Sequence, residues 1–169
     1  MTDVLTMVKA VLAKTPANWL NITTLPIELL TRQPAVGEWS ATACLIHILD
    51  TEHIFPRRVQ ALLQGEPIPS FDPDMEGIKR SALSPEQLAH EFARLRQTNL
   101  ELLERVTPQD FGRTSIHSEL GPVTLEQLLH EWAAHDLNHT MQAERAIMQP
   151  FIQGSGPWRF YFKGHEVAE

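Results

Sequence analysis

The 169-residue chain has one cysteine, Cys44, and one tyrosine. A single cysteine excludes an intramolecular disulfide framework and any cysteine-rich zinc knuckle. Basic residues are also scarce: 14 Lys and Arg stand against 21 Asp and Glu, a formal charge of −7 with histidine neutral. A general nucleic-acid binder needs a basic face to displace phosphate counterions, so the acidic balance speaks against that class. No stretch approaches the roughly 18 uninterrupted apolar residues of a membrane span. The best, Ala41 to Leu49, is broken by Thr42 and His47. The opening residues, Met1-Thr2-Asp3-Val4-Leu5-Thr6-Met7, place no basic region ahead of an apolar one and do not read as a signal peptide. A soluble cytoplasmic protein is the expectation. The sequence shows no internal repeat and no low-complexity segment.

What is present is ordinary globular material, 43% hydrophobic and 21% charged, at a length that fits one domain. Such a chain buries roughly 70% of its unfolded surface and needs no covalent staple. Four segments have helical periodicity. The first, about Asp3 to Asn21, carries a stripe of Val4, Leu5, Val8, Val11, Leu12, Trp19 and Leu20, with Pro16 expected to bend it. A short turn follows at Pro26 to Leu30. The second long helix starts at the N-cap Ser40 and ends near Gly65, with Pro56 expected to kink or break it. Ser84-Pro85-Glu86-Gln87 is a capping box opening the third, whose stripe is Leu88, Phe92, Leu95, Leu102, Leu103 and Val106. Thr124-Leu125-Glu126-Gln127 is a second capping box, opening a fourth helix expected to stop near Met148, before Pro150. Between the last two, residues 113–123 read as a short hairpin or extended excursion, and 65–77, with three prolines, as a long loop. The fold class is therefore all-α, a four-helix bundle over residues 1–150 with a short hairpin or extended excursion before the last helix. An aromatic tail over 151–169 is expected to pack on the body or on a partner.

Histidine is the residue in excess, at eight. On the fourth helix the apolar stripe Leu125, Leu128, Trp132, Ala143, Ala146 passes through positions 135 and 139, and both are histidine. An i, i+4 pair lies about 40° apart and one turn apart, so both imidazoles reach one point. Chance yields about 0.4 such pairs in a chain of this composition, so the pair alone is weak. On the second long helix, Cys44, His47, Ile48, Thr51 and Ile54 share a face that His47 interrupts. Three imidazoles thus point into one interior from two helices. Buried unpaired imidazoles are costly and repel one another when protonated, and a divalent cation resolves both problems by binding their neutral forms. Three nitrogen ligands suit Zn, Ni, Fe or Co and leave positions open for water or substrate.

The surrounding residues allow two readings each. Asp50 and Asp136 are candidates to hold an imidazole tautomer, or else solvated helix acids. Arg57 and Arg58 are candidates for a substrate carboxylate, or else surface charges. Trp39 reads as a core plug at the start of the second long helix, and Cys44, three residues before His47, as a small buried hydrophobe or else a residue that sees the site. His53 and His130 point away from the triad, while His90, His117 and His165 read as surface residues, His117 beside a candidate site entrance.

The segment Arg32-Gln33-Pro34-Ala35-Val36-Gly37-Glu38-Trp39-Ser40, then His47-Ile48-Leu49-Asp50-Thr51-Glu52, then His135-Asp136-Leu137-Asn138-His139, resembles the DinB/YfiT-like family in order and spacing over roughly residues 3 to 148. The resemblance implies a four-helix bundle whose metal ligands are His47, His135 and His139, with zinc, nickel or iron as the ion and a homodimer as the assembly. It also implies a small-molecule substrate. Characterised branches include transferases and isomerases that use a low-molecular-weight thiol (bacillithiol, mycothiol or glutathione), and the YfiT-like branch is described as metal-dependent hydrolases. Two function classes follow: a metal-dependent enzyme whose ion activates a thiol or a water, and a non-catalytic, stress-induced metal-binding or structural homodimer. Pro56 and the tail after Pro150 lie outside the shared pattern.

Overall fold

The computed structural model describes residues 3–70 and 82–167. Most of the proline-rich loop expected at 65–77 lies outside them. Four long helices form the body: α1 (Val4–Ile22), α3 (Ala41–Gln64), α4 (Pro85–Leu103) and α5 (Leu125–Gly154). The short α2 (Ile27–Thr31) leads into α3. The ends follow the capping chemistry in the sequence. Asp3, Ser40, Ser84 and Thr124 each accept a backbone N–H in the first turn, the last two within complete capping boxes. Gly65 closes α3 at φ 73°, a left-handed conformation that glycine adopts without a Cβ penalty.

Each long helix packs on two others. α1 lies against α4 and α5, and so does α3, which puts α1 and α3 on a diagonal of the bundle. The seam between α3 and α5 is the one that carries the histidines. A hairpin of β1 (Thr114–His117) and β2 (Gly121–Thr124) precedes α5, with Thr114 opposite Thr124 and His117 opposite Gly121. It is tied to the end of α3 and the chain beyond: Arg113 Nη1 donates to the Leu63 carbonyl at 3.1 Å, Ser115 Oγ donates to the Glu66 carbonyl, and Ile68 N donates to the Ile116 carbonyl at 3.2 Å.

The core has two apolar halves. One holds Leu5, Val8, Leu12, Phe55, Val59, Leu103, Leu125 and Trp132, and the other Trp19, Cys44, Leu45, Ile48, Leu88, Phe92 and Ala143. A buried ionic layer joins the helices where these halves meet. The Arg96 guanidinium on α4 grips Glu52 on α3 through Nε–Oε2 (2.8 Å) and Nη2–Oε1 (2.5 Å). It also grips Asp136 on α5 through Nη1–Oδ2 (2.6 Å) and Nη2–Oδ1 (3.0 Å). Its Nη1 reaches the Leu12 carbonyl on α1 as well, at 2.9 Å. Asn99 Nδ2 donates to both the carbonyl and a carboxylate oxygen of Glu52, and Trp132 Nε1 donates to Glu52 at 3.3 Å. One guanidinium against two carboxylates leaves the layer with one excess formal negative charge.

This layer receives the carbonyls freed at Pro16, where a bend is expected, and at Pro56, where a kink or break is expected; no break occurs at Pro56. Both prolines sit inside continuous helices. A proline at position i cannot donate to the carbonyl at i−4. The carbonyls so released are those of Leu12 and Glu52, and they accept from Arg96 and Asn99 respectively. The fourth long helix also corrects the expected stop near Met148: α5 runs to Gly154 with Pro150 inside it. Proline removes a single bond there, and the extra turn buries Ile152 against the body. Beyond it, a 3₁₀ segment (Gly156–His165) folds back on α5, where Arg145 Nε and Gln149 Nε2 each donate to the His165 carbonyl at 2.9 Å.

Candidate metal centre

Three of the eight histidines meet on the seam of α3 and α5. One ring nitrogen from each of His47, His135 and His139 lies within 4.8 Å of the other two, and all three side chains are half-buried. The ring centroids form a near-equilateral set, 4.9 Å from His47 to His135 and 4.5 Å from His139 to each. The Nε2 atoms of His47 and His135 are 3.0 Å apart. At most one N–H fits between them, whereas a cation satisfies both lone pairs at once. Two nitrogens at zinc-ligand distances of about 2.0–2.1 Å from one ion would lie roughly 3 Å from each other, so the gap is the right size. The third ring is oriented to match. His139 Nδ1–H donates to Gln142 Oε1 at 2.9 Å, which leaves the Nε2 lone pair free. The Nδ1 of His135 is buried without a hydrogen-bond partner among the described residues.

The rings are held neutral. Burial, then the charge of His139, pushes His47 down to about 4. Burial, followed by repulsion from His139 and His47 were they protonated and by the charges of Arg58 and Arg96, pushes His135 down to about 3. His139 is lowered by burial as well, against the opposing pull of Gln142 and Asp136. Neutral imidazoles present lone pairs, the form a metal binds. The donor set fits a borderline divalent ion, and no carboxylate or thiolate joins the cluster among the described residues.

The neighbouring residues fall out differently from expectation. Trp39 is not a core plug. It is 38% exposed, and its ring stacks on His139 (centroids 5.6 Å, planes 19° apart) and tilts over His47 at 5.0 Å. Phe55 meets the His135 ring edge-on at 5.6 Å. Asp136 is fully buried with both oxygens on Arg96, so it does not hold an imidazole through a hydrogen bond. Asp50 is buried on α3. Cys44 is buried, and desolvation pushes its thiol up to about 12. Arg57 is exposed, whereas Arg58 and His117 line a cavity between α3, the hairpin and α5.

The family model described as the DinB superfamily matches residues 12–143. The chain belongs to the DinB superfamily. The matched span includes all three clustered histidines. Among solved structures, this DinB-superfamily chain is similar to YfiT from Bacillus subtilis, described as "a probable metal-dependent hydrolase with an unusual four-helix bundle topology". That similarity has a TM-score of 0.76 at 20% identity and covers 89% of this chain and 90% of that one. At such identity it shows the shared fold. No curated protein sequence matches the chain.

Proposed function

We propose that this DinB-superfamily protein is a metal-dependent enzyme acting on a small molecule, with His47, His135 and His139 as the three ligands of one divalent ion (zinc, nickel or iron). The observation that carries the reading is the convergence of three neutral imidazoles whose nitrogens lie within 4.8 Å of one another. Bound there, the ion would supply Lewis-acid activation of a water or a thiol.

The chain's own residues provide the rest. Gln142 fixes the His139 tautomer and ring plane. Trp39 and Phe55 wall the cluster with aromatic surface on two sides, which limits water and strengthens the local field. Asp136, next to His135 in the chain, acts on His139 in the direction that favours positive charge, while Arg96 acts on His135 in the opposite direction. Hydrolysis is the reaction favoured, in keeping with the description of the structurally similar YfiT. Transfer to a low-molecular-weight thiol is the other reaction that an open three-nitrogen site supports. A second reading, a non-catalytic metal-binding homodimer, draws on the exposed tail aromatics Trp158, Phe160 and Tyr161.

The test is metal analysis of untagged protein, followed by an ester and amide panel and a thiol-conjugation panel using bacillithiol, mycothiol and glutathione. Stoichiometric metal that is lost in His139→Ala, with turnover lost in His47→Ala, supports the enzyme. Metal without turnover across both panels favours the second reading. Protein that carries and takes up no metal defeats both.

A further inference from the structure

The cavity between α3, the hairpin and α5 is distinct from the imidazole cluster and has a chemistry of its own. Its volume is about 550 Å³, within the usual range for a small-molecule pocket. Ile68, Val123 and Leu128 give it apolar walls, and three charged side chains enter it: Arg58 from α3, Glu119 from the hairpin and Glu131 from α5.

Arg58 is the unusual member. Its Nε is buried without a hydrogen-bond partner among the described residues. Desolvation weakens its hold on its proton, while Glu131 and Glu119 act on it electrostatically. A guanidinium has five N–H donors in a planar fork suited to a carboxylate, and a single buried donor left unsatisfied in a partly dry wall is already costly. A bare anion, however, would also face two carboxylates. The arrangement is complementary to a ligand that brings both signs: a carboxylate for Arg58 and a neighbouring ammonium for Glu131 or Glu119, on an apolar body.

The cavity is also placed to serve the metal centre. Eleven residues separate His47 from Arg58, about three full helical turns, so both lie on one face of α3. Glu131 is four residues before His135, one turn along the same face of α5. Arg58 is close enough to His135 for its charge to act on that ring.

We infer that this cavity binds a zwitterionic ligand of the amino-acid type, its carboxylate on Arg58, its ammonium on Glu131 and its apolar portion against Val123 and Leu128. As a substrate assignment the inference rests on the metal-enzyme reading, because the centre would act on a group carried by this ligand. As a binding site it does not need the metal.

The experiment is calorimetric titration of the full chain, with and without EDTA treatment, using three probes: phenylalanine, 3-phenylpropionate (which lacks the ammonium) and phenethylamine (which lacks the carboxylate). Phenylalanine is expected to bind about ten-fold or more tightly than either deletion probe, with or without EDTA. Arg58→Gln should lower phenylalanine and 3-phenylpropionate affinity together. Glu131→Gln should reduce phenylalanine to the level of 3-phenylpropionate while leaving 3-phenylpropionate itself unchanged or tighter, a split that misfolding cannot produce. The inference is overturned if no probe binds, if either deletion probe matches phenylalanine, or if Arg58→Gln retains full affinity. None of those results touches the metal reading, and a failure to find metal leaves the EDTA-treated titration standing.

Discussion

Arg96 donates through Nη1 to the carbonyl of Leu12 at 2.9 Å, and that carbonyl is available because Pro16 cannot donate to it. The guanidinium therefore ties α1, α3, α4 and α5 together at one level, with ring faces of Phe92 and Trp132 on it at 4.7 and 5.6 Å. Arg96→Met would leave Glu52 and Asp136 buried without their cation, a loss of about 3–5 kcal/mol in urea unfolding. Lys9→Ala, which removes the exposed Lys9–Glu104 pair, should cost no more than about 1 kcal/mol. Comparable effects of the two substitutions would refute this account of the bundle's centre.

How far the sequence exposed this arrangement varies by residue. The caps at Ser40, Ser84 and Thr124 are local chemistry, and the helices start where that chemistry places them. The clustered histidines were also legible, because facial position on two helices is a matter of counting residues. The ionic layer was not. An apolar stripe of Leu88, Phe92, Leu95, Leu102 and Leu103 sets the α4 face slightly to one side of the real one, on which Phe92, Arg96, Asn99 and Leu103 are buried. The available signal was opposite charge at interior spacing: Glu52 stands between Ile48 and Phe55 on α3, as Arg96 stands between Phe92 and Asn99. Pro16 reads as a bend and Pro56 as a kink or break because a proline's effect on its own helix is local, whereas the use of the freed carbonyl depends on another helix. Trp39 was misplaced for a related reason. Its position next to the N-cap is evident, but the side of the helix end on which its ring lies is set by the bundle.

The stacking of Trp39 on His139 gives a direct optical report on the centre. Ni²⁺ or Co²⁺ added to EDTA-treated protein is expected to quench part of the tryptophan emission, saturating at one equivalent. Trp39→Phe should abolish most of that quenching while metal stoichiometry is preserved. Quenching that persists undiminished in Trp39→Phe would place the bound ion away from this seam.

Cys44 lies only three residues before His47, yet it is buried in the other apolar half of the core and its thiol is raised to about 12 by desolvation. It is expected to resist a disulfide exchange reagent at pH 8 in the folded protein and to react at once in denaturant. Rapid labelling of native protein would show that the core around Ala41, Leu45 and Ile48 opens more readily than its packing implies.

Proton uptake should set the acid limit of the metal-free protein. Above pH 6.5 the histidines are neutral whether the chain is folded or not, so this term is flat and its stabilising contribution is fully present. Below that value the unfolded chain takes up protons that His47 and His135, held down to about 4 and about 3, refuse in the fold. The unfolded state then binds more protons, so stability falls as pH drops from 6.5 through about 4. A bound divalent ion competes with those protons and should shift the loss to lower pH, as far as its affinity allows. Unfolding midpoints of EDTA-treated protein between pH 7.5 and 4 check the slope, and His47→Gln should flatten it. A midpoint that holds steady over that range would mean the three rings are not kept neutral by burial, and the case for a preformed metal centre would lose its electrostatic basis.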